Sequence, residues 1–514
     1  MLRSLWFSAS RPWFFPAFLT LFALTAAVAS VVIFIPPDQG MVDGVRRIIK
    51  VSVVPDEFRH IGNILYYASR SPLAGPVITD LPTGYLWLGE ATRFPSYLYY
   101  YVMGFPTAVM EAIGIPYSVI IVLLRLVTVA CGFLGLVVLR RILRELGMDV
   151  TVATWATVAV SLTGRYVWQS AGVSYDIPST LLFLLFVLAC VRVLARRTTI
   201  GVLMVWSLAF VTSVTKYTFA PFVVAAAVAI TLTLFSRAGS PGGVAARVRA
   251  SIAQAAEQRA RFVSAIALFV VSAALFSERI IGNLVRYGDV EPGCDAVHPA
   301  SACYKIYDIY RRNTAVRQTM LDDIASGKRE APHFDPLVYT GQWLDAYYQS
   351  LFFYRGVGTP WHVPTIILVI GAIAMVVAVL AAILNRSRLV ANRRALFVVL
   401  LSLLYVAGVY VFNLRTYLNS GEYYAHSGRY LLPVLGFAFA FALLAMRGPW
   451  RATRTGSARA LWGRTLVAGG GLVLLLALVV THTPIVAFYA FANDHTWFTG
   501  AGYDWTAWAG GFWR

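Results

Sequence analysis

Long apolar runs recur along the 514-residue chain and are separated by polar segments. About 20 consecutive apolar residues are enough for a helix to cross a bilayer. The pattern therefore predicts an all-α polytopic membrane protein. Its eleven predicted spans lie at about 13–35, 117–139, 148–163, 177–195, 199–214, 217–235, 262–281, 362–384, 395–413, 430–446 and 465–487. The transmembrane domain then occupies residues 1–487, and an aromatic tail follows at 488–514.

The distribution of charge predicts which side of the membrane each connection faces. Only 13% of the residues are charged, whereas soluble domains carry about 25%. The net charge of +19 is typical of nucleic-acid partners, but its distribution favours a membrane. Arginines cluster in alternate connections, which are 140–146, 192–197, 237–261, 385–394 and 447–464. By the positive-inside rule, these connections face the cytoplasm and contact anionic lipid headgroups. We therefore expect no nucleic-acid partner.

The remaining connections then lie outside, with a cytoplasmic N-terminus and an extracytoplasmic C-terminus at the plasma membrane. Most acidic residues fall in these outer segments, which are 36–116, 164–176, the turn around Lys216, 282–361, 414–429 and the tail. Helical spacing predicts an interfacial helix over 56–70, lying along the membrane. A second, at 97–113, is expected to be broken by Pro106. Acids, arginines and tyrosines thus gather at the outer surface, as they would around a site there.

Two of the four cysteines lie in the second large outer segment. Cys294 and Cys303 stand in CDAVHPASAC, and an extracytoplasmic loop is usually oxidising. We expect a disulfide that closes this short loop. A Cys/His metal site that uses His298 is the alternative, although the spacing matches no standard zinc pattern.

The stretch VPDEFRHIG at 54–62 brings four ionisable side chains together just after the first span: Asp56, Glu57, Arg59 and His60. A carboxylate could deprotonate an acceptor hydroxyl as general base. Cationic groups on neighbouring outer loops could stabilise the charge that develops on a leaving phosphate. Transfer of a sugar from a lipid-linked phosphate needs both kinds of group.

Three motifs resemble the GT-C superfamily of integral-membrane glycosyltransferases, and more narrowly a group of bacterial membrane proteins within it. They read PDEFRH at 55–60, SYD at 174–176 and SGRYLLP at 427–433. The resemblance covers about 30–450 and implies a GT-C-like fold and a polyprenyl-phosphate-sugar donor. It also places Asp56 at the position of the catalytic carboxylate, with Glu57 as its partner. Phe58 and Arg59 depart from the small residues that are usual there.

Other outer-side polar residues are candidate substrate contacts. They are Arg59, His60, Arg165, Tyr175, Asp176, Lys216, Arg415, Glu422, His426, Arg429 and Tyr430. Lys216 and Arg429 are expected to bind the donor phosphate. Each candidate also has an ordinary explanation, such as a helix cap for Asp176 or snorkelling to the surface for Lys216. Asp56, Glu57 and His60 could hold Mg²⁺ or Mn²⁺, and metal dependence stays open.

The resulting hypothesis is an inverting glycosyltransferase that uses a polyprenyl-phosphate sugar and acts on a cell-envelope glycan or lipid. A transporter or flippase of lipid-linked glycans is one alternative, although its usual internal repeats are not evident. An O-antigen-type polymerase is a second alternative, for which paired arginine-rich outer loops are expected. A non-enzymatic scaffold would leave the acidic pair unexplained.

Overall fold

The computed structural model describes residues 9–30, 39–42, 45–48, 56–70, 92–196, 198–236, 246, 258–306, 308–352, 392–423 and 426–452. The predicted spans at 362–384 and 465–487 and the aromatic tail lie outside these residues. The all-α prediction is confirmed for the described part, apart from one β-hairpin formed by β1 (Gln39–Val42) and β2 (Val45–Ile48).

The helices follow one another in chain order with mostly short connections. Those before residue 240 are α1 (Phe14–Val28), α2 (Glu57–Ser69), α3 (Leu98–Ala112), α4 (Tyr117–Glu145), α5 (Val150–Ser161), α6 (Gly164–Ala171), α7 (Asp176–Arg196), α8 (Thr199–Thr215) and α9 (Ala220–Ser236). Those after it are α10 (Arg259–Phe276), α11 (Gly282–Tyr287), α12 (Cys294–Val297), α13 (Ala300–Ile306), α14 (Asp308–Ala325), α15 (Pro336–Phe352), α16 (Arg393–Ser420) and α17 (Leu432–Ala452). Short 3-10 helices, Tyr217–Phe219 and Gly428–Leu431, precede α9 and α17.

Four helices in the described part are long and apolar enough to cross a membrane: α4, α7, the continuous segment Arg259–Tyr287, and α16. Shorter apolar helices cover Phe14–Val28, Val150–Ser161, Thr199–Thr215, Tyr217–Thr233 and Gly428–Leu444. Each of the nine falls on a predicted span. The main apolar core lies where α4, α7, α8 and α9 pack together with α5, α15, α16 and α17.

The first outer segment differs from its prediction in two ways. The helix α2 does not lie along a surface, because residues 60–68 are all buried within the protein. Its apolar side chains pack with tyrosines of α3 and with the first turns of α4. Helix α3 is also continuous through Pro106, which was expected to break it. Neither the burial of α2 nor the packing of α3 can be read from local periodicity, because tertiary contacts decide both.

A buried ion pair fixes α2 against the bundle. Glu57, in the first turn of α2, accepts two hydrogen bonds from the Arg125 guanidinium at 2.8 and 3.0 Å, and both side chains are fully buried. The same carboxylate accepts the backbone N–H of Val173 at 2.7 Å, and Arg125 reaches the carbonyl of Ser30 at 3.3 Å. Four chain segments therefore meet at one pair of charges.

The segment 282–361, predicted to lie outside, contains the helices α11 to α15 in its described part. Cys294 and Cys303 form a disulfide, with their Cα atoms 5.8 Å apart. A π-helical turn, Ser277–Ile281, joins α10 to α11. On the far side of this turn, Asn283 accepts a hydrogen bond from Arg93 Nε at 2.8 Å, and Arg93 also pairs with Glu278 at 2.9 Å. The π turn thus ties the long helix to the segment that leads into α3.

Removal of either partner of the buried pair should destabilise the protein strongly. We expect Glu57→Ala and Arg125→Ala each to lower the free energy of unfolding by roughly 3–5 kcal/mol, because each leaves one buried charge without its counter-ion. Arg141→Ala is the matched control, since Arg141 is 65% exposed beside Glu145, and should cost less than about 1 kcal/mol. Thermal unfolding in detergent measures all three. Equal melting temperatures for the buried-pair variants and the control would contradict this role.

Candidate functional site

Asp56 stands at the start of α2, in a backbone conformation that is rare for a residue with a side chain. Its φ of +66° is the only positive value among the described non-glycine residues, and aspartate is one of the few residue types that tolerate it. The side chain pairs with Arg59, one turn further along α2, and accepts a hydrogen bond from Arg429 Nη2 at 3.0 Å. Asp56 is thus held between two guanidinium groups.

A second carboxylate lies deeper, at the first residue of α7. Asp176 is 2% exposed and pairs with Lys216 through a 2.6 Å contact between Oδ1 and Nζ. Its Oδ2 accepts a hydrogen bond from Gln169 Nε2 at 2.8 Å. Lys216 reaches this position because α8 ends at Thr215 and Lys216 takes an extended conformation before the 3-10 turn. The buried ammonium group therefore has a counter-ion, as buried charges need.

Arg429 joins the two acids into one cluster. Besides its bond to Asp56, its Nη1 lies 3.7 Å from Asp176 Oδ2. The preceding residue fixes its position, because the Gly428 N–H donates to Ser350 Oγ at 2.6 Å. A Cβ on Gly428 would lie 2.6 Å from the Leu351 backbone. The glycine of the SGRY motif thus permits the close contact with α15 that carries Arg429 to the acids.

Aromatic rings surround the cations. The Tyr430 ring centroid lies 4.7 Å from Lys216 Nζ and 5.3 Å from the Arg429 guanidinium carbon. The Tyr175 centroid lies 5.5 Å from Lys216 Nζ. His60 packs edge-on against Tyr175 at 4.7 Å between ring centroids. These π faces stabilise positive charge from the sides that the carboxylates leave open.

His60 is a neutral group beside these charges. Its Nδ1 is 2.7 Å from the Tyr100 hydroxyl, whereas its buried Nε2 has no hydrogen-bond partner within the described residues. Burial lowers the pKa of His60 to about 4, although the acids Asp176 and Asp56 act in the opposite direction. The imidazole is therefore uncharged near neutral pH and leaves one ring nitrogen available.

The cluster joins several charged side chains. Among the described residues, its ion pairs connect Arg59, Lys216 and Arg429 to the two carboxylates Asp56 and Asp176. Asp56 is the accessible acid, because its side chain is 32% exposed and that of Asp176 is 2% exposed. Burial raises the pKa of Asp56, but Arg429 and Arg59 outweigh it and hold that pKa below its usual range. The arrangement thus combines buried cations with one ionised, reachable carboxylate.

Several predicted site residues lie elsewhere. Glu57 points away from Asp56 towards Arg125, so the two adjacent acids serve different places. Arg165 is buried on α6 and donates from Nε to the Ser350 carbonyl at 2.7 Å. Glu422 pairs with Arg329 at 3.5 Å. Arg415 is exposed near the end of α16. His426 belongs to a separate group of aromatic side chains, in contact with the Tyr339 ring.

The structure also brings in residues that the sequence analysis did not name. Arg125 supports α2, Gln169 binds Asp176, and Tyr100 binds His60. A signal existed for Arg125, because it is a single arginine inside the apolar run 117–139. An ionisable residue in such a run indicates a functional or structural charge pair. No local signal marks Tyr100, which is one of several tyrosines in YLYYY.

The proposed metal set does not converge. In the described part of the chain, no three histidine, cysteine, aspartate or glutamate side chains are grouped as a metal site. Glu57 is committed to Arg125, and Asp56 to two arginines.

Comparison with known proteins gives a distant structural likeness. No protein-family model and no curated protein matches the chain. Two crystal structures of the Archaeoglobus fulgidus oligosaccharyltransferase align with it at 12% identity. One carries a disulfide-tethered acceptor peptide with the NVT sequon (TM-score 0.43, 99% of this chain), and the other is the apo form (TM-score 0.45, 98% of this chain). The chain spans less than three fifths of their length, 57% and 58% respectively.

The buried neutral histidine should make stability depend on pH in a defined window. The pKa of His60 is about 4 in the folded protein, whereas it has its ordinary value of 6.5 in the unfolded chain. Stability is therefore fully present above pH 6.5 and falls as the pH drops towards 4. His60→Asn should flatten this part of the melting-temperature profile, whereas the exposed His333→Asn should leave it unchanged. Parallel profiles for His60→Asn and the parent protein would refute the burial argument.

Proposed function

We propose that this chain is an inverting, GT-C-type glycosyltransferase of the plasma membrane. It transfers a sugar from a polyprenyl-phosphate donor to a cell-envelope glycan or lipid at the extracytoplasmic face. One observation carries the proposal: Lys216 and Arg429 lie in a mostly buried cluster beside an accessible carboxylate, Asp56, at the ends of apolar helices. The clustering of arginines in the opposite connections supports the assignment of sides.

The donor phosphate matches the cluster in charge and place. A phosphodiester between a polyprenol and a sugar carries one negative charge, which the cationic side chains Lys216 and Arg429 attract. In the proposed complex, Arg429 and Lys216 bind the phosphate oxygens, and the two tyrosines Tyr175 and Tyr430 flank them. The polyprenyl chain lies among the apolar helices. Charge-assisted hydrogen bonds of this kind are stronger than neutral ones.

Asp56 is the proposed general base. It takes the proton of the acceptor hydroxyl while the acceptor oxygen attacks the anomeric carbon of the donor sugar. The bond from that carbon to the phosphate oxygen breaks, and polyprenyl phosphate leaves with the bonding electron pair. Lys216 and Arg429 stabilise the charge gained by the phosphate. A single displacement inverts the anomeric configuration.

In the free enzyme, the carboxylate of Asp56 is a weak base because its pKa is lowered. Two guanidinium groups keep the Asp56 carboxylate ionised and weakly basic. A phosphate that takes over Arg429 removes one of these partners, and the pKa of Asp56 then rises towards the value that a base needs. Donor binding therefore prepares the base for the acceptor.

Glu57 and Arg165 act as positioning residues in this proposal. Glu57 anchors the first turn of α2, which carries Asp56, to Arg125. Arg165 holds the end of α15, against which Gly428 packs and from which Arg429 projects. Neither side chain needs to touch the substrate to affect turnover.

Asp56→Asn should abolish transfer while donor binding is kept. We expect turnover to fall roughly hundred- to ten-thousand-fold, because the amide cannot accept the hydroxyl proton. The assay incubates the purified protein with radiolabelled polyprenyl-phosphate sugars and an envelope glycan or lipid extract. Asp322→Asn, an exposed aspartate on α14, is the control. Transfer that survives in Asp56→Asn would reject Asp56 as the base. Specific binding of a lipid-linked glycan by a protein that transfers from no donor would favour a flippase or polymerase.

Arg429→Ala should instead weaken donor binding. Loss of one charged contact to the phosphate is worth about 1.5–3 kcal/mol, or roughly ten- to hundredfold in donor affinity. Asp56 and Asp176 keep Arg59 and Lys216 as partners in this variant, so the fold should persist. Equilibrium binding of a radiolabelled donor measures the effect, and the exposed Arg311→Ala serves as control. Equal affinity in the Arg429 and Arg311 variants would remove the phosphate assignment.

A further inference from the structure

A dense group of aromatic side chains adjoins the segment that carries Arg429. We call it the aromatic platform; its members are Phe334, Tyr339, Trp343, Tyr347, Tyr410, Tyr417, Tyr423 and His426. Tyr339, Trp343 and Tyr347 recur every four residues and so share one face of α15. The facing rings come from α16 and from the loop after it. The proposed transfer mechanism uses none of these rings.

Hydrogen bonds fix the inner layer of the platform. Trp343 Nε1 and the Tyr347 hydroxyl both donate to Asn413 Oδ1, at 3.0 and 2.7 Å. The Tyr410 hydroxyl lies 2.8 Å from Thr340 Oγ1. Each of these polar atoms therefore has a partner, and the rings are held in place. A preformed aromatic surface binds a ligand without the cost of ordering its side chains.

The outer layer remains open to solvent. Tyr423 is 37% exposed and stacks on Tyr417, with ring centroids 4.7 Å apart and planes 19° apart. Phe334 is 43% exposed and meets Tyr339 edge-on. The exposed faces of Tyr423 and Phe334 therefore form an apolar surface that a ligand can reach.

The rim of this surface is polar. The Arg329–Glu422 ion pair lies beside it, with side chains that are 38% and 46% exposed. The Tyr423 hydroxyl donates to the exposed side chain of Gln342. A lipid chain laid on the platform would remove these groups from water without replacing their hydrogen bonds, which is costly. A sugar has apolar C–H faces for the rings and hydroxyl groups for the rim.

The platform leads directly to Arg429. His426 is three residues before Arg429 in the chain, and its ring centroid lies 6.3 Å from that of Tyr347. Tyr347 is one turn before Ser350 and Leu351, which contact Gly428. The exposed Tyr423 also contacts α15 through Gln342. A ligand on the exposed rings would therefore lie against the same helix that positions Arg429 beside Asp56, the residue proposed as base.

We propose that the aromatic platform is the acceptor subsite and that the acceptor is a carbohydrate chain. This inference rests on the proposed function and narrows its acceptor from a glycan or lipid to a glycan. The platform binds sugar units away from the reacting hydroxyl, and that binding sets the KM for the acceptor.

A direct binding test uses the purified protein in detergent on an array of defined soluble oligosaccharides. We expect the parent protein to bind at least one class. Tyr423→Ala should weaken that binding tenfold or more, whereas Tyr423→Phe should keep most of it because the ring remains. Tyr304→Ala is the matched control, since Tyr304 is 50% exposed in the same outer segment but outside the platform. Failure of the parent protein to bind any oligosaccharide, or equal loss in the Tyr423→Ala and Tyr304→Ala variants, would overturn the inference.

The transfer assay separates this inference from the proposed function. If both hold, Tyr423→Ala raises the acceptor KM about tenfold and leaves donor affinity unchanged. Transfer to glycans with an unaltered KM in Tyr423→Ala would reject the platform and keep the glycosyltransferase. Transfer only to lipid acceptors in vesicles would reject the carbohydrate assignment. If the protein binds oligosaccharides through Tyr423 but transfers a sugar from no donor, the platform is a carbohydrate-binding surface and the transfer function is rejected.

Discussion

The ion pair between Glu57 and Arg125 is the contact on which the site depends. It lies out of reach of solvent and joins the first turn of α2 to the third turn of α4, to the residues after α1 and to the loop before α7. A buried pair of this kind adds little net stability over an apolar contact, but its partners have few alternative positions. The pair therefore fixes one orientation of α2. That orientation brings Asp56 to Arg429, a residue 373 positions further along the chain.

The charged cluster balances two needs. Cations that bind a phosphate must be present before it arrives, yet unpaired cations are costly to bury. Asp56 and Asp176 provide partial compensation, and tyrosine faces provide more. The same guanidinium groups that Asp56 compensates hold the pKa of its carboxyl below the usual range.

Local patterns predicted much of this molecule and failed where distant segments meet. Apolar runs located every candidate spanning helix among the described residues. The three motifs and the lone lysine between two apolar runs singled out Asp56, Asp176, Arg429 and Lys216, which the structure brings together. Periodicity could not show that residues 60–68 of α2 are all buried, because contacts with distant segments, such as that of His60 with Tyr100 of α3, decide this. The sequence also could not show that the adjacent residues Asp56 and Glu57 bind different partners. Their side chains diverge by a helical rotation, and only the position of Arg125 shows what the second one binds.

The π turn at Ser277–Ile281 has a consequence for the register of the long helix that contains it. Such a turn accommodates one residue more than an α-helix of the same length. Each residue of an α-helix rotates the chain by about 100°. Deletion of one residue there would restore regular geometry and turn α11 by that angle about its own axis. Asn283 would then face away from Arg93. The helix would gain regular backbone hydrogen bonds but would lose the hydrogen bonds between Asn283 and Arg93. The π turn in this helix is therefore what allows Asn283 to bind Arg93, in the segment that leads into α3.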